Sequence, residues 1–166
     1  MELPEVEIKH VLYATDFSEN AGHVCAYAQH FAKQLQAKLT LLHVIHEEFL
    51  DLLIFDVGID RVGGVEKRLS LMKEHFKDVK NSVVKKIKTE YGCEVFQEND
   101  IVVERGNPVK IILRTTEERG CDLIVMGFRG KGALEDAMMG DTVRLVLHRS
   151  KVPVLVVKSG DKKKQK

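Results

Sequence analysis

Short runs of β-branched and aromatic residues alternate with helical periods along almost the entire chain, and this alternation restricts the fold more than any single motif does. The first run, IKHVLYA from Ile8, gives way to the polar TDFSE at Thr15. Ala21, Val24, Cys25, Ala28, Phe31, Ala32 and Leu35 then recur at three and four, the spacing of one face of an amphipathic helix. The run LTLLHVI from Leu39 is apolar on both alternations, as a strand covered on both faces must be. A second helical stripe runs through Leu69, Met72, Phe76, Val79, Val83 and Ile87 toward Gly92, a C-terminal cap signal. Strand-like residues at 93–96 and 101–103 are separated by QEND, which predicts a bulge or turn in the third strand. Asn107 and Pro108 mark the next helix start as N-cap and first helical residue. That helix turns Val109, Ile112 and Leu113 inward and stops at Gly120. The fourth strand is CDLIVM from Cys121, and the fifth is VPVLVV between Val152 and Val157, with a short helix over 142–149 between them.

Strands separated by helices in this way predict a single doubly wound α/β domain over 1–158, a five-stranded parallel sheet with helices on both faces. Ligands of such sheets bind beyond the carboxyl ends of the strands, where the strand order reverses. The loops at Asp16 and Gly127 are therefore the ones to watch. The segment 46–64 is too long for a simple connection and carries Phe49, Leu50, Leu52, Leu53, Ile54 and Phe55. It either folds back on the core or forms a surface for a protein partner.

A chain of 166 residues with 44% hydrophobic content supports one sizeable core. Its formal net charge of +1 creates no field that would recruit nucleic acid or an anionic membrane. The lysines of the tail 159–166 are expected to be solvated and unstructured. Cys25, Cys93 and Cys121 are widely spaced and form no C-x-x-C, which favours a reduced, cytoplasmic setting over a disulfide scaffold. No secretory leader and no apolar run of membrane-spanning length is expected from the sequence.

Gly127, Gly130 and Gly140 follow the fourth strand, with two residues in the first gap and nine in the second. Glycine serves where backbone must approach something closely, and a glycine loop after a strand can cradle an anion. Two familiar nucleotide fingerprints fail. No G-x-G-x-x-G follows the first strand, and although Gly127 and Gly132 have the spacing of a P-loop, Ala133 and Leu134 replace its lysine and hydroxyl. DFSE from Asp16 has capping-box spacing, so Asp16 is either the cap of the first helix or a ligand group. His43 and His46 are three apart, which on a strand sends them to opposite faces and argues against a metal pair. Glu135 and Asp136 read as a solvated surface, and no Ser/His/Asp or Cys/His grouping presents itself. No catalytic residues, and no enzyme, are expected.

The glycine spacing, the opening IKHVLYATDFSENA, the strand LLHV, the GNP at Gly106 and the terminal PVLVV together resemble the universal stress protein family. The resemblance covers about Ile8 to Lys158, in the family's order. It implies a parallel α/β domain that dimerises through its last strand and, in many members, binds ATP between the ends of the first and fourth strands. Carried over to this chain, the site would comprise Ala14, Thr15, Asp16, Val44, Met126, Gly127, Arg129, Gly130, Gly140, Asp141, Thr142 and Val143. Asp16 would meet the ribose and adenine, Val44 the adenine ring, and Met126 and Gly127 the nucleoside. Gly130 and Gly140 would let phosphates approach backbone amides. Ala14 stands where such members commonly have proline, and Asp141 where they usually carry serine.

Asp141 matters because aspartate is a good N-cap and could take the hydrogen bonds a phosphate would otherwise receive. Two unit charges about 4 Å apart repel by around 4 kcal/mol at an effective dielectric near 20, equivalent to roughly three powers of ten in affinity. Arg129, Lys131 and Arg144 offset this, and Mg²⁺ could make the carboxylate a ligand. Two functions follow. One is a regulatory, cytoplasmic homodimer that binds ATP. The other is a nucleotide-free dimeric interaction module in which Asp141 fills the phosphate site.

Overall fold

The computed structural model describes residues 5–46, 64–90, 96–129 and 139–158. Five strands form one parallel sheet: β1 (His10–Thr15), β2 (Lys38–Ile45), β3 (Ile101–Arg105), β4 (Leu123–Gly127) and β5 (Val154–Val157), in spatial order β3-β2-β1-β4-β5. Among the described residues four helices connect them: α1 (Ala21–Gln34), α2 (Gly64–Glu90), α3 (Pro108–Glu118) and α4 (Asp141–Arg149). The five-stranded parallel α/β architecture expected from the alternation is the one observed.

The near-continuous apolar strands have a direct cause, since each alternation meets a different helical layer. Val11, Tyr13, Leu41, Leu123 and Val125 pack with Val24, Cys25, Ala28 and Ala32 of α1 and Ile87 of α2. Phe76, Val79 and Val83 add to that layer, and the side chains of Leu69 and Met72 lie outside the described ones. Leu12, Ala14, Leu42, Ile124 and Met126 pack with Val109, Ile111 and Ile112 of α3 and Val143 and Val146 of α4. Thus α1 and α2 cover one face and α3 and α4 the other.

Polar contacts tie down the amino end of the central strand. The Asp122 carboxylate accepts from the Lys9 and His10 amides at 2.8 and 3.0 Å, while its own amide donates to the His10 carbonyl at 2.8 Å. His10 Nδ1 donates to the Arg119 carbonyl at 3.0 Å, and Nε2 meets the Thr40 hydroxyl at 2.9 Å. This end of the sheet is therefore committed to structure, leaving the carboxyl end to open.

Local chemistry explains most boundaries. Asn107 accepts from the Lys110 amide at 3.1 Å, capping α3 as expected, with Pro108 at its first position. At the other end Gly120 has φ +59, and the Cys121 and Gly120 amides donate to the Thr116 and Glu117 carbonyls at 2.9 and 3.2 Å. That pair of bonds closes a helix through a left-handed residue, the conformation in which glycine carries no Cβ penalty. Before β3 the interruption expected at QEND is a 3₁₀ turn over Glu98–Asp100, where the Gln97 amide donates to the Asp100 carboxylate at 3.0 Å. Phe96 is buried beside it, while 91–95, including Gly92 and Cys93, lie outside the described residues. So do 47–63 and the tail 159–166.

At two helix starts the structure decides whether an aspartate is the cap. The N-cap position of α1 is Asn20, without a side-chain cap, so Asp16 does not start that helix. The N-cap position of α4 is Gly140, which makes Asp141 the first helical residue rather than the cap.

Replacing Asn107 by Ala removes the acceptor for a first-turn amide and should lower unfolding free energy by about 0.5–2 kcal/mol. Asp at this position should recover most of the loss; urea unfolding curves of the three proteins check this.

Candidate functional site

The first two crossovers use one face of the sheet and the last two the other, so the chain leaves β1 and β4 in opposite directions. In a sheet wound this way a crevice for ligands is expected outside the carboxyl ends of these neighbouring strands. Ala14 and Met126 are register partners across it, both nearly buried. Val44 of β2 packs against the cluster that contains them, as does Val143 from the first turn of α4. These four expected site residues thus form one apolar wall, while Thr15, Asp16 and Gly127 stand at its rim. Gly130 lies outside the described residues, with the rest of 130–138.

The rim on the β1 side is a tight polar turn. Thr15 Oγ1 accepts from the Phe17 amide at 3.2 Å, and Asp16 Oδ1 accepts from the Ser18 amide at 3.0 Å. The second bond is an Asx turn, in which aspartate satisfies the backbone two residues on. It replaces the capping box that DFSE suggested. Phe17 has φ +56, a left-handed conformation that costs a non-glycine residue about 1–2 kcal/mol. Its ring is buried in the α1/α2 layer, 4.6 Å from the His43 ring and beneath Lys86 Nζ at 5.5 Å. His43 Nδ1 also lies 2.8 Å from the Thr15 carbonyl oxygen.

On the β4 side, backbone approaches backbone. A Cβ at Gly127 would lie 3.3 Å from both the Arg129 carbonyl oxygen and Val24 Cγ2, closer than a side chain normally tolerates. The Phe128 amide donates to the Val157 carbonyl at 2.8 Å, and the Gly140 amide donates to the Phe128 carbonyl at 3.1 Å. These bonds bring the start of α4 back to the end of β4. They also engage Gly140's own amide, so the donors facing outward from this turn belong to Asp141, Thr142 and Val143. Gly140, at the N-cap position, supplies no side-chain hydrogen bond to it.

Asp141 does not fold back over these amides. Its carboxylate is 87% exposed and meets Arg144 Nη2 at 3.1 Å, an exposed pair worth at most about 1 kcal/mol. Asp141 thus engages Arg144 instead of serving as the N-cap of α4. The short i,i+3 reach to Arg144 draws the carboxylate along the helix surface, away from its own first turn. Two further cations sit near. Arg129 Cζ and Lys158 Nζ lie 5.8 and 5.1 Å from the Phe128 ring centroid.

Burial pushes the thiols of Cys25 and Cys121 up to about 11, so both are protonated at neutral pH and unsuited to nucleophilic work. Among the described residues no group of three or more His, Cys, Asp or Glu side chains could hold a metal ion, and no helix is long and apolar enough to cross a membrane.

Sequence reasoning missed His43, Phe17, Phe128 and Lys158. Strand alignment could have found the first, since Thr15 and His43 are register partners. Nothing local signals that Lys158 meets Phe128, because β4–β5 pairing brings them together.

Comparison with known proteins agrees with this geometry. The model of the universal stress protein family matches residues 7–158. Universal stress protein MJ0577 of Methanocaldococcus jannaschii is 32% identical over 159 residues, covering 92% of this chain and 96% of that protein. Universal stress protein YxiE of Bacillus subtilis is 31% identical over 155 residues, covering 89% and 97%. The solved structure of MJ0577 superposes with a TM-score of 0.71 at 28% identity, covering 94% of this chain and 99% of that one. A universal stress protein solved in complex with cAMP shares the fold, with a TM-score of 0.58 at 18% identity and coverage of 93% and 100%.

Proposed function

This chain belongs to the universal stress protein family, and on that premise we propose that it is a regulatory module binding an adenine nucleotide, ATP, in the crevice between β1 and β4. One observation carries the reading. The Asx turn at Asp16 directly follows β1, and the first turn of α4 is returned by hydrogen bond to the end of the neighbouring β4, so both stand at the carboxyl end of the sheet beside the apolar cluster of Ala14, Val44 and Met126. The wall of Ala14, Val44 and Met126 suits a purine. The Asp16 carboxylate suits ribose hydroxyls, which can donate to it. The amides of Thr142 and Val143, the Thr142 hydroxyl and the cations Arg129 and Lys158 suit a polyphosphate. A Mg²⁺ ion accompanying the triphosphate would find one carboxylate ligand in Asp141. The fold of this chain is shared by a protein solved with cAMP, itself an adenine nucleotide.

The role is binding rather than catalysis: the donors around the opening stabilise a bound anion, and the site residues named here include no group placed to activate water. We also propose a cytoplasmic setting, consistent with two buried, protonated thiols. A protein partner, if the module signals through one, would be met by the segment 46–64.

For the dimer, β5 ends the sheet, and Val154, Leu155 and Val156 on it are only partly covered. An apolar edge strand invites pairing with another chain. Pairing β5 with its own copy gives a two-fold interface and satisfies the open edge. Sedimentation at micromolar concentration should show a dimer, which a charged residue at Leu155 dissociates; a stable native monomer contradicts the interface.

Calorimetry tests the nucleotide. Replacing Asp16 by Ala should weaken adenosine and ATP alike, by roughly tenfold or more, the value of a hydrogen bond to a charged group. Replacing Asp141 by Ser removes a negative charge beside the phosphates and should tighten ATP more than adenosine. ATP affinity that is unchanged or weaker in the Ser variant contradicts the placement of the phosphates at α4.

A further inference from the structure

One side chain from the neighbouring strand touches the residues on both sides of Asp16. The carbonyl oxygen of Thr15 can only accept, so His43 presents Nδ1–H to it, at 2.8 Å. The flat of the same imidazole packs on the Phe17 ring at a centroid distance of 4.6 Å and a tilt of 49°. Thr15 precedes Asp16 and Phe17 follows it, so His43 clasps the turn from before and after its central residue. The turn requires such support. Phe17 is one of two described non-glycine residues with positive φ, and the other, Gln36, closes the end of α1 through the Gln36 and Ala37 amides. Phe17 terminates no helix. Its conformation is held by the Thr15 Oγ1 bond to its amide, by burial of its ring and by Lys86 above that ring. His43 contributes to both the backbone before the turn and the packing after it.

We propose that His43 is a positioning residue of the nucleoside site, holding the Thr15–Asp16–Phe17 turn so that the Asp16 carboxylate meets the ribose hydroxyls. This rests on the assignment of Asp16 to the ribose. His43 itself touches no ligand. Its effect is transmitted through one carboxylate, so it should govern the part of the affinity that depends on ribose hydroxyls and leave the purine's contribution unchanged. Asparagine places an N–H donor where Nδ1 stands in histidine, whereas leucine keeps apolar volume and deletes the donor.

Calorimetry with adenosine and 2′,3′-dideoxyadenosine on the native chain, His43→Leu and His43→Asn reads this directly. The Leu variant should bind adenosine roughly fivefold to tenfold more weakly, the worth of one hydrogen bond. Its affinity for the dideoxynucleoside should be unchanged, and the Asn variant should recover adenosine binding. In an Asp16→Ala background, His43→Leu should have no further effect. Equal weakening of both nucleosides, or a Leu effect that persists without Asp16, overturns the proposal in favour of a general packing role. Should the native chain bind neither nucleoside nor ATP, the nucleotide reading fails by itself, and amide exchange decides the clasp. Exchange at Phe17 and Ser18 rises in the Leu variant and recovers in the Asn variant if His43 holds the turn, and is unchanged in both if it does not.

Discussion

Burial of β1 on both faces and along both edges is the constraint on which the rest of the structure depends. Val11, Leu12 and Tyr13 have no solvent exposure, and β1 pairs with β2 on one side and β4 on the other. Each such side chain contributes about 1.5–3 kcal/mol when fully buried, so every neighbouring element is drawn to this strand. Even the Tyr13 hydroxyl is satisfied inside, donating to the Ala21 carbonyl at 2.7 Å. Polar groups of β1 can reach solvent only at its ends. The amino end is consumed by Asp122 and His10, so the turn at Thr15, Asp16 and Phe17 is where this strand can present chemistry.

The same constraint explains why the opposing lip is made of backbone. β4 lies beside β1 and must send its chain to the other face, and a side chain at Gly127 would press on the Arg129 carbonyl and on Val24. The Gly140 amide then returns the chain to Phe128. The start of α4 consequently stands at the same end of the sheet as the Asp16 turn, with cations around the Phe128 ring. A carboxylate on one lip and anion-attracting groups on the other suit a ligand whose two ends differ, such as a nucleoside joined to phosphates.

Much of this architecture was legible because it is periodic. Strands sealed on both faces are apolar at nearly every position, and helices packed on one side repeat at three and four, so strand and helix order could be read directly. Asn107 and Gly120 were readable because a cap needs only residues a few positions away. Asp16 and Asp141, each a possible cap by spacing and chemistry, both lie outside the N-cap positions. Both have the chemistry of a cap, but Asp16 finds the nearer Ser18 amide and Asp141 finds Arg144. Choosing among several short-range partners depends on backbone torsions that spacing does not reveal. Spacing presents His43 only as half of a metal pair with His46, whereas its contact with Thr15 is set by β1–β2 register. Contacts across strands belong to topology and become visible only once the sheet order is known.

The central claim is that one opening, formed where β1 and β4 diverge, accepts a nucleotide across both lips. Amide chemical shifts followed during titration with ATP test it most directly. The account predicts changes concentrated at Asp16, Phe17, Ser18, Gly127, Thr142 and Val143, with His10, Thr40 and Asp122 at the opposite end of the sheet undisturbed. Changes confined to that opposite end, or a spectrum unaltered at millimolar ATP, would contradict it.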